Sequence, residues 1–146
     1  MKRIIVGGDH AGLGLKRALV EALTSGGYAV EDIGSHDETS TDYPDYARRV
    51  AAKVANGDAP LGLLVCGTGV GMSIAANRHA GVRAVVCSEP FSAMMARRHN
   101  DANVLCLGAR VVGAGLAQEI LDVFLATAFE GGRHARRVAK IDGGEG

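Results

Sequence analysis

Three short runs of this sequence combine residue types suited to acid–base chemistry on an anionic ligand. In Cys66-Gly67-Thr68-Gly69-Val70-Gly71, a thiol stands directly before three alternating glycines. Glycines at that spacing let the backbone turn tightly into a helix start, where exposed N–H groups stabilise negative charge. The same donors favour the thiolate form of Cys66, and a thiolate can act as a base. The competing reading is a flexible packing turn, with Cys66 an inert small hydrophobe at a strand end.

The second run is Arg97-Arg98-His99-Asn100-Asp101. Its polar setting reads either as an exposed helix end or as a functional histidine. His10 follows Asp9 at the end of the first strand, where either residue can cap a helix or touch a polar ligand. His36, His79 and His134 have no spacing that selects a role. The third run is basic: Arg133 and Arg137 stand four apart and, on a helix, share one side. They read as a solvated basic tail or as a clamp on a phosphate, with Arg110 a third donor.

Several chemistries are disfavoured. No Lys-Ser/Thr pair follows the glycines, so the loop is not a Walker A motif. Gly7, Gly8, Gly12 and Gly14 miss the GxGxxG order, although Asp32 sits where a ribose-binding acid would stand in a nicotinamide enzyme. There is no HExxH or other compact metal motif, so no metal is expected.

These residues are positioned by a regular alternation of elements. Strands are predicted at Ile4–Val6, Ala29–Ile33, Leu61–Cys66, Arg83–Cys87 and Val104–Leu107. Between them, Leu15, Leu19, Ala22 and Leu23 recur at helical spacing, and Gly26-Gly27 stops that helix. Pro44 opens a second helix running to about residue 56, and Ile74, Ala75 and Ala76 mark a third. Glu89-Pro90 opens a fourth, and Leu116 to Ala128 form a fifth. Short loops and strands apolar on both sides predict a single α/β domain over residues 1–146. The expected architecture is a three-layer α/β/α sandwich, Rossmann-like, on a five-stranded parallel sheet. Ligands then bind beyond the strand C-termini, after β-runs ending at Val6, Cys66, Cys87 and Leu107. Residues 130–146 are too polar for core and are expected to pack on the surface or on a partner subunit.

Composition fits this picture. The chain has 146 residues, 47% of them hydrophobic, with only 4% aromatic, so aliphatic residues and Met must fill the core. Sixteen basic residues balance sixteen acidic ones, which argues against a broad surface for nucleic acid or membrane. Charge is nonetheless uneven: residues 31–45 hold six acids and no Lys or Arg, and 133–140 hold four bases and no acid. No signal peptide or apolar span of about 18 residues is present. Three cysteines without CxxC spacing read as reduced thiols of a cytoplasmic protein.

Taken in order, several runs resemble the ribose-5-phosphate isomerase B family, which includes galactose-6-phosphate and allose-6-phosphate isomerases. They are Gly8-Asp9-His10, Thr41-Asp42-Tyr43-Pro44, the Cys66–Gly71 loop, Ser73-Ile74-Ala75-Ala76-Asn77, Cys87-Ser88-Glu89-Pro90, His99-Asn100-Asp101 and Glu130-Gly131-Gly132-Arg133-His134. The resemblance runs from Arg3 to about Val138. It implies a dimer or tetramer with shared sites, acting on a small sugar phosphate. It implies Cys66 as the proton-abstracting base and His99 as the group that opens the sugar ring. Substrate contacts are implied for Asp9, His10, Gly67, Thr68, Gly69, Val70, Gly71, Asn100, Arg110, Arg133 and Arg137. No cofactor is implied, because the electrons stay within the substrate. Ribose 5-phosphate is the expected substrate, with a six-carbon aldose phosphate as the alternative. A nonenzymatic nucleotide- or anion-binding module is the reading from a different class.

Overall fold

Five apolar runs form five parallel strands: β1 (Arg3–Gly8), β2 (Ala29–Asp32), β3 (Leu61–Cys66), β4 (Ala84–Val86) and β5 (Val104–Gly108). The computed structural model describes residues 2–143. The sheet order is β2-β1-β3-β5-β4. The chain therefore steps outward from β1 to β2 and then crosses to the other side of β1. This reversal opens a crevice between the C-terminal ends of β1 and β3, the place where α/β sheets bind ligands.

Side-chain alternation divides the core into two faces. Along β3, Leu63 and Val65 join one cluster while Leu64 and Cys66 join the other. The first face packs against α1 (Leu13–Ser25), α4 (Pro90–Asn100) and α5 (Ala114–Ala126) through Leu19, Ala93, Ile120 and Phe124. The second packs against α2 (Tyr43–Ala55) and α3 (Val70–Ala76) through Ala47, Val50, Ala51 and Met72. Three layers result, as the alternation predicts. Strand β4 is shorter than the predicted Arg83–Cys87. Arg83 instead turns its guanidinium to Asp101 and Asp142, at 3.3 and 3.0 Å.

Helix α4 carries His99 and Asn100 in its last turn. Glu89 caps its start by accepting the Ser92 N–H at 3.0 Å, and Pro90 occupies its first turn. Asp101 ends it in the left-handed conformation, at φ 48°. Because α4 runs back along the sheet, its eleven residues carry the chain about 16 Å toward the opposite edge. The C-terminal segment forms α6 (Arg133–Ile141), which lies on α4 with His134 and Val138 as its buried stripe. Its charged composition hides this helix from a core-based reading, because two buried positions suffice to dock it. Residues 144–146 of the predicted 130–146 segment lie outside the described residues.

Candidate active site

Beyond β1 and β3 opens a cleft of about 530 Å³, lined by Asp9, His10, Tyr43, Cys66, Thr68, Arg110 and neighbouring loop atoms. Cys66 is only 5% exposed. Its Sγ accepts the Gly69 N–H at 3.1 Å, an arrangement that stabilises charge on sulfur. Gly69 delivers this bond from φ +80°, a conformation that favours glycine. The next amide, at Val70, donates to Thr68 Oγ1 at 3.3 Å. The loop therefore turns two of its amides onto its own side chains. The Gly69 donor serves the thiol, one of the two uses that the sequence offered for these amides.

The other thiols provide a contrast. Burial, reinforced by the Glu89 carboxylate, pushes the Cys87 thiol up to about 11. Cys106 is raised further, by burial first and then by its neighbouring cysteines. Both stay neutral and inert. Of the three, only Cys66 lines the cleft.

The strand β1 end supplies the polar rim. Asp9 is buried and accepts the Gly12 N–H at 3.1 Å. His10 Nδ1 accepts the Thr41 N–H at 3.2 Å, so the neutral ring carries its proton on Nε2. Gly8 and Gly12 are packing glycines: a Cβ at Gly8 would stand 2.5 Å from the Val65 carbonyl oxygen, and one at Gly12 closer still. Asp32 is occupied. The fully buried Lys16 grips its two carboxylate oxygens at 2.7 and 2.9 Å and the Ser35 carbonyl at 2.6 Å. This removes the acid that a dinucleotide ribose would need.

His99, Asn100, Arg133 and Arg137 do not line this cleft. The last turn of α4 holds His99 and Asn100 near the N-terminal edge of the sheet. Asp101 to Asn103 then lead straight into β5, and the Asn103 carbonyl accepts the N–H of Gly62 at the start of β3. Arg133 and Arg137 are exposed on α6, against the same helix. Within one chain, the residues singled out from the sequence thus fall into two groups at opposite edges. A larger cleft of about 780 Å³ opens at the N-terminal edge, but no cysteine or histidine lines it.

Comparison with known proteins identifies the family. The model of the family described as Ribose/Galactose Isomerase matches residues 4–141. This chain belongs to that family. It is 54% identical to ribose-5-phosphate isomerase B of Escherichia coli (strain K12), over 97% of this chain and 95% of that protein. It superposes with a TM-score of 0.96 on a structure of Clostridium thermocellum ribose-5-phosphate isomerase B. That match has 50% identity and covers 97% of this chain and 95% of the other. A further relative, D-erythrulose-4-phosphate isomerase of Pectobacterium atrosepticum, is 43% identical over 97% of this chain and 93% of that protein.

Some residues at these two edges escaped the sequence reading. Tyr43 lines the cleft, and its ring lies where a Cβ on Gly71 would fall. Its signal was its place in the Thr41-Asp42-Tyr43-Pro44 run. His134, which no spacing singled out, is buried and stacks on His99 with ring centroids 4.1 Å apart.

Proposed function

We propose that the protein interconverts D-ribose 5-phosphate and D-ribulose 5-phosphate, with Cys66 moving a proton between C2 and C1. The observation that carries this is a buried thiol holding a backbone N–H on its sulfur, at a cleft rimmed by His10 and Arg110. The relatives named ribose-5-phosphate isomerase B support the substrate.

The sugar phosphate arrives as a ring. His99 gives a proton to the ring oxygen as the C1–O4 bond breaks, and takes one from the C1 hydroxyl. The Cys66 thiolate then removes the C2 proton, leaving a cis-enediolate. Return of that proton to C1, with the O2 proton moving to O1, yields the ketose. Asp9, His10 and the loop Gly67, Thr68, Gly69, Val70 and Gly71 hold the sugar, with Asn100 on the far side. Arg133 and Arg137 clamp the phosphate, and Arg110 assists.

Since these groups occupy opposite edges of one chain, the reading requires a second copy. In a closed symmetric dimer, the partner's His99, Asn100, Arg133 and Arg137 face this chain's Cys66, and the reverse. Val70 and Ile74 at the cleft, Val86 against the Gly69 turn and Phe91 in the first turn of α4 are exposed apolar side chains suited to such a contact. A homodimer, or a tetramer built from such dimers, is the assembly we infer. Three free cysteines suit a reducing cytoplasm. Among the described residues no helix is long and apolar enough to cross a membrane.

The galactose half of the family description favours a second reading, a six-carbon aldose phosphate. Side-by-side kinetics on ribose 5-phosphate and allose 6-phosphate separate the two. We expect higher kcat/KM on ribose 5-phosphate, and a clear preference for the hexose would overturn the substrate. Absence of turnover on both, with tight nucleotide binding, would instead favour a binding module. The Lys16–Asp32 pair argues against that outcome.

A further inference from the structure

The reaction as proposed uses His99 but leaves two of its neighbours without a role. The loop after α5 is laced to the end of α4: Arg97 Nε donates to the Thr127 carbonyl at 3.2 Å, and the Glu130 N–H donates to the Arg98 carbonyl at 3.0 Å. Gly131 and Gly132, both at positive φ, then turn the chain into α6. This places Glu130 and His134 directly against His99. One carboxylate oxygen of Glu130 lies 3.7 Å from His99 Nε2 and 3.6 Å from His134 Nε2. The two imidazoles stack with an interplanar angle of 11°.

These three side chains bring their ligand atoms within 4.8 Å of one another, close enough to suggest a metal site. The stack argues otherwise. Nearly parallel rings aim their lone pairs along parallel lines, and such lines do not converge on one ion. Arg133 and Arg137 on α6 add further positive charge beside the cluster.

The arrangement suits the control of a single proton. Two stacked imidazolium rings would repel, so charge on one ring disfavours charge on the other. His134 is the ring that stays neutral: burial lowers its pKa first, then His99 and Arg133, with Glu130 opposing and Arg137 adding to the depression. Arg97 and Arg98 are the remaining cations in that turn of α4, with Arg97 turned to the Thr127 carbonyl and the Asp101 carboxylate. His99 is the more open ring, with 38% of its side chain exposed against 8% for His134. The ring that faces both the carboxylate and the surface is therefore the one placed to exchange a proton with a ligand.

We propose that Glu130 and His134 are positioning residues for His99: the carboxylate faces Nε2 of the exposed ring and orients it, and the buried ring fixes its plane. The proposal rests on the ring-opening role of His99. It assigns Glu130 and His134 to the cyclic substrate alone, because proton abstraction at carbon is the work of Cys66.

The test compares ribose 5-phosphate with erythrose 4-phosphate, whose phosphorylated O4 prevents it from closing a furanose ring. Glu130→Gln keeps shape and removes charge. It should lower kcat on ribose 5-phosphate about tenfold and leave erythrose 4-phosphate turnover within about twofold. Because the carboxylate faces His99 Nε2, the pH profile of kcat/KM on ribose 5-phosphate should change in Glu130→Gln, while that on erythrose 4-phosphate should not. His134→Ala should impair the cyclic substrate similarly, and His134→Phe, which restores a flat buried ring, should recover most of that loss. Equal losses on both substrates, or an unchanged pH profile on ribose 5-phosphate in Glu130→Gln, would overturn the proposal. His99→Asn, run in parallel, separates the two layers. If it spares the cyclic substrate, the role of His99 fails. If it impairs that substrate while Glu130→Gln does not, only the roles of Glu130 and His134 fail.

Discussion

Cys66 and His99 are held by different kinds of structure. Cys66 ends a central strand with β1 and β5 on either side, and its sulfur is fixed by an amide three residues on. Its surroundings are the sheet itself, so little can move without disturbing the core. His99 rides the final turn of a surface helix, and its neighbours come from a loop and a charged helix docked through two buried side chains. On the reaction proposed above, one half of the chemistry is built into the fold and the other is presented outward by it. That reading teaches that a base working at carbon can be set by the fold of one chain. A group proposed to meet another copy's ligand belongs where that copy can reach it.

The comparison breaks most sharply at Cys66. Cys66→Ala should lower kcat on the order of 10³-fold, with KM little changed and a native circular dichroism spectrum, because a proton transfer confined to the transition state is lost. Near-normal kcat in the folded variant would remove Cys66 from the mechanism. At the other edge, His99→Asn should cost about 10²-fold on ribose 5-phosphate, and far less on erythrose 4-phosphate. Identical losses would make His99 a general binding or structural residue.

A mixed dimer asks whether the two edges of different chains cooperate. A Cys66→Ala subunit paired with an Arg133→Ala, Arg137→Ala subunit leaves one of two pockets with all its native groups. Two nearly inactive parents should then regain roughly half of wild-type activity per mixed dimer. Demonstrated subunit exchange without recovery would exclude the shared site. The smallest effect concerns the strut between the edges. Hydrogen bonds from Ser92, side chain first, hold the Glu89 carboxyl below its ordinary value of 4.5. A lowered folded value means that this cap contributes fully above about pH 4.5 and fades as pH falls through the folded value. Glu89→Ala should cost a few degrees of melting temperature at pH 7 and progressively less in acid. A constant loss at every pH would assign the effect to something other than the charged cap.

The alternation of apolar runs made the layers legible from residue order alone, because strands buried on both faces leave little choice of sequence. The cleft was legible for a related reason: Asp9, His10 and Cys66 lie at strand ends, and parallel sheets open there. What the sequence could not convey was the exchange of β4 and β5 in the sheet order, which depends on long-range pairing. Nor could it reveal that α4 carries His99 away from Cys66, since both residues simply end or flank short apolar stretches. The pairing of His99 with His134 was hidden by a separation of 35 positions along the chain and by a docking helix whose apolar content is minimal.

Lys16 has a consequence beyond packing. The crevice between β1 and β3 is where related architectures accept nucleotides, and the acid they would use, Asp32, is present at the end of β2. Here it is locked to an ammonium group that has no access to water. A lineage diverging from this scaffold toward dinucleotide binding would have to free that acid first. Every single-step replacement of Lys16 by an apolar residue leaves Asp32 charged beside the core. Such a change costs about 3–5 kcal/mol for a fully buried pair, and less here, where the Asp32 side chain keeps 23% exposure. The lysine thus acts as a latch: while it stays, the crevice has no free acid at this position to offer a ribose.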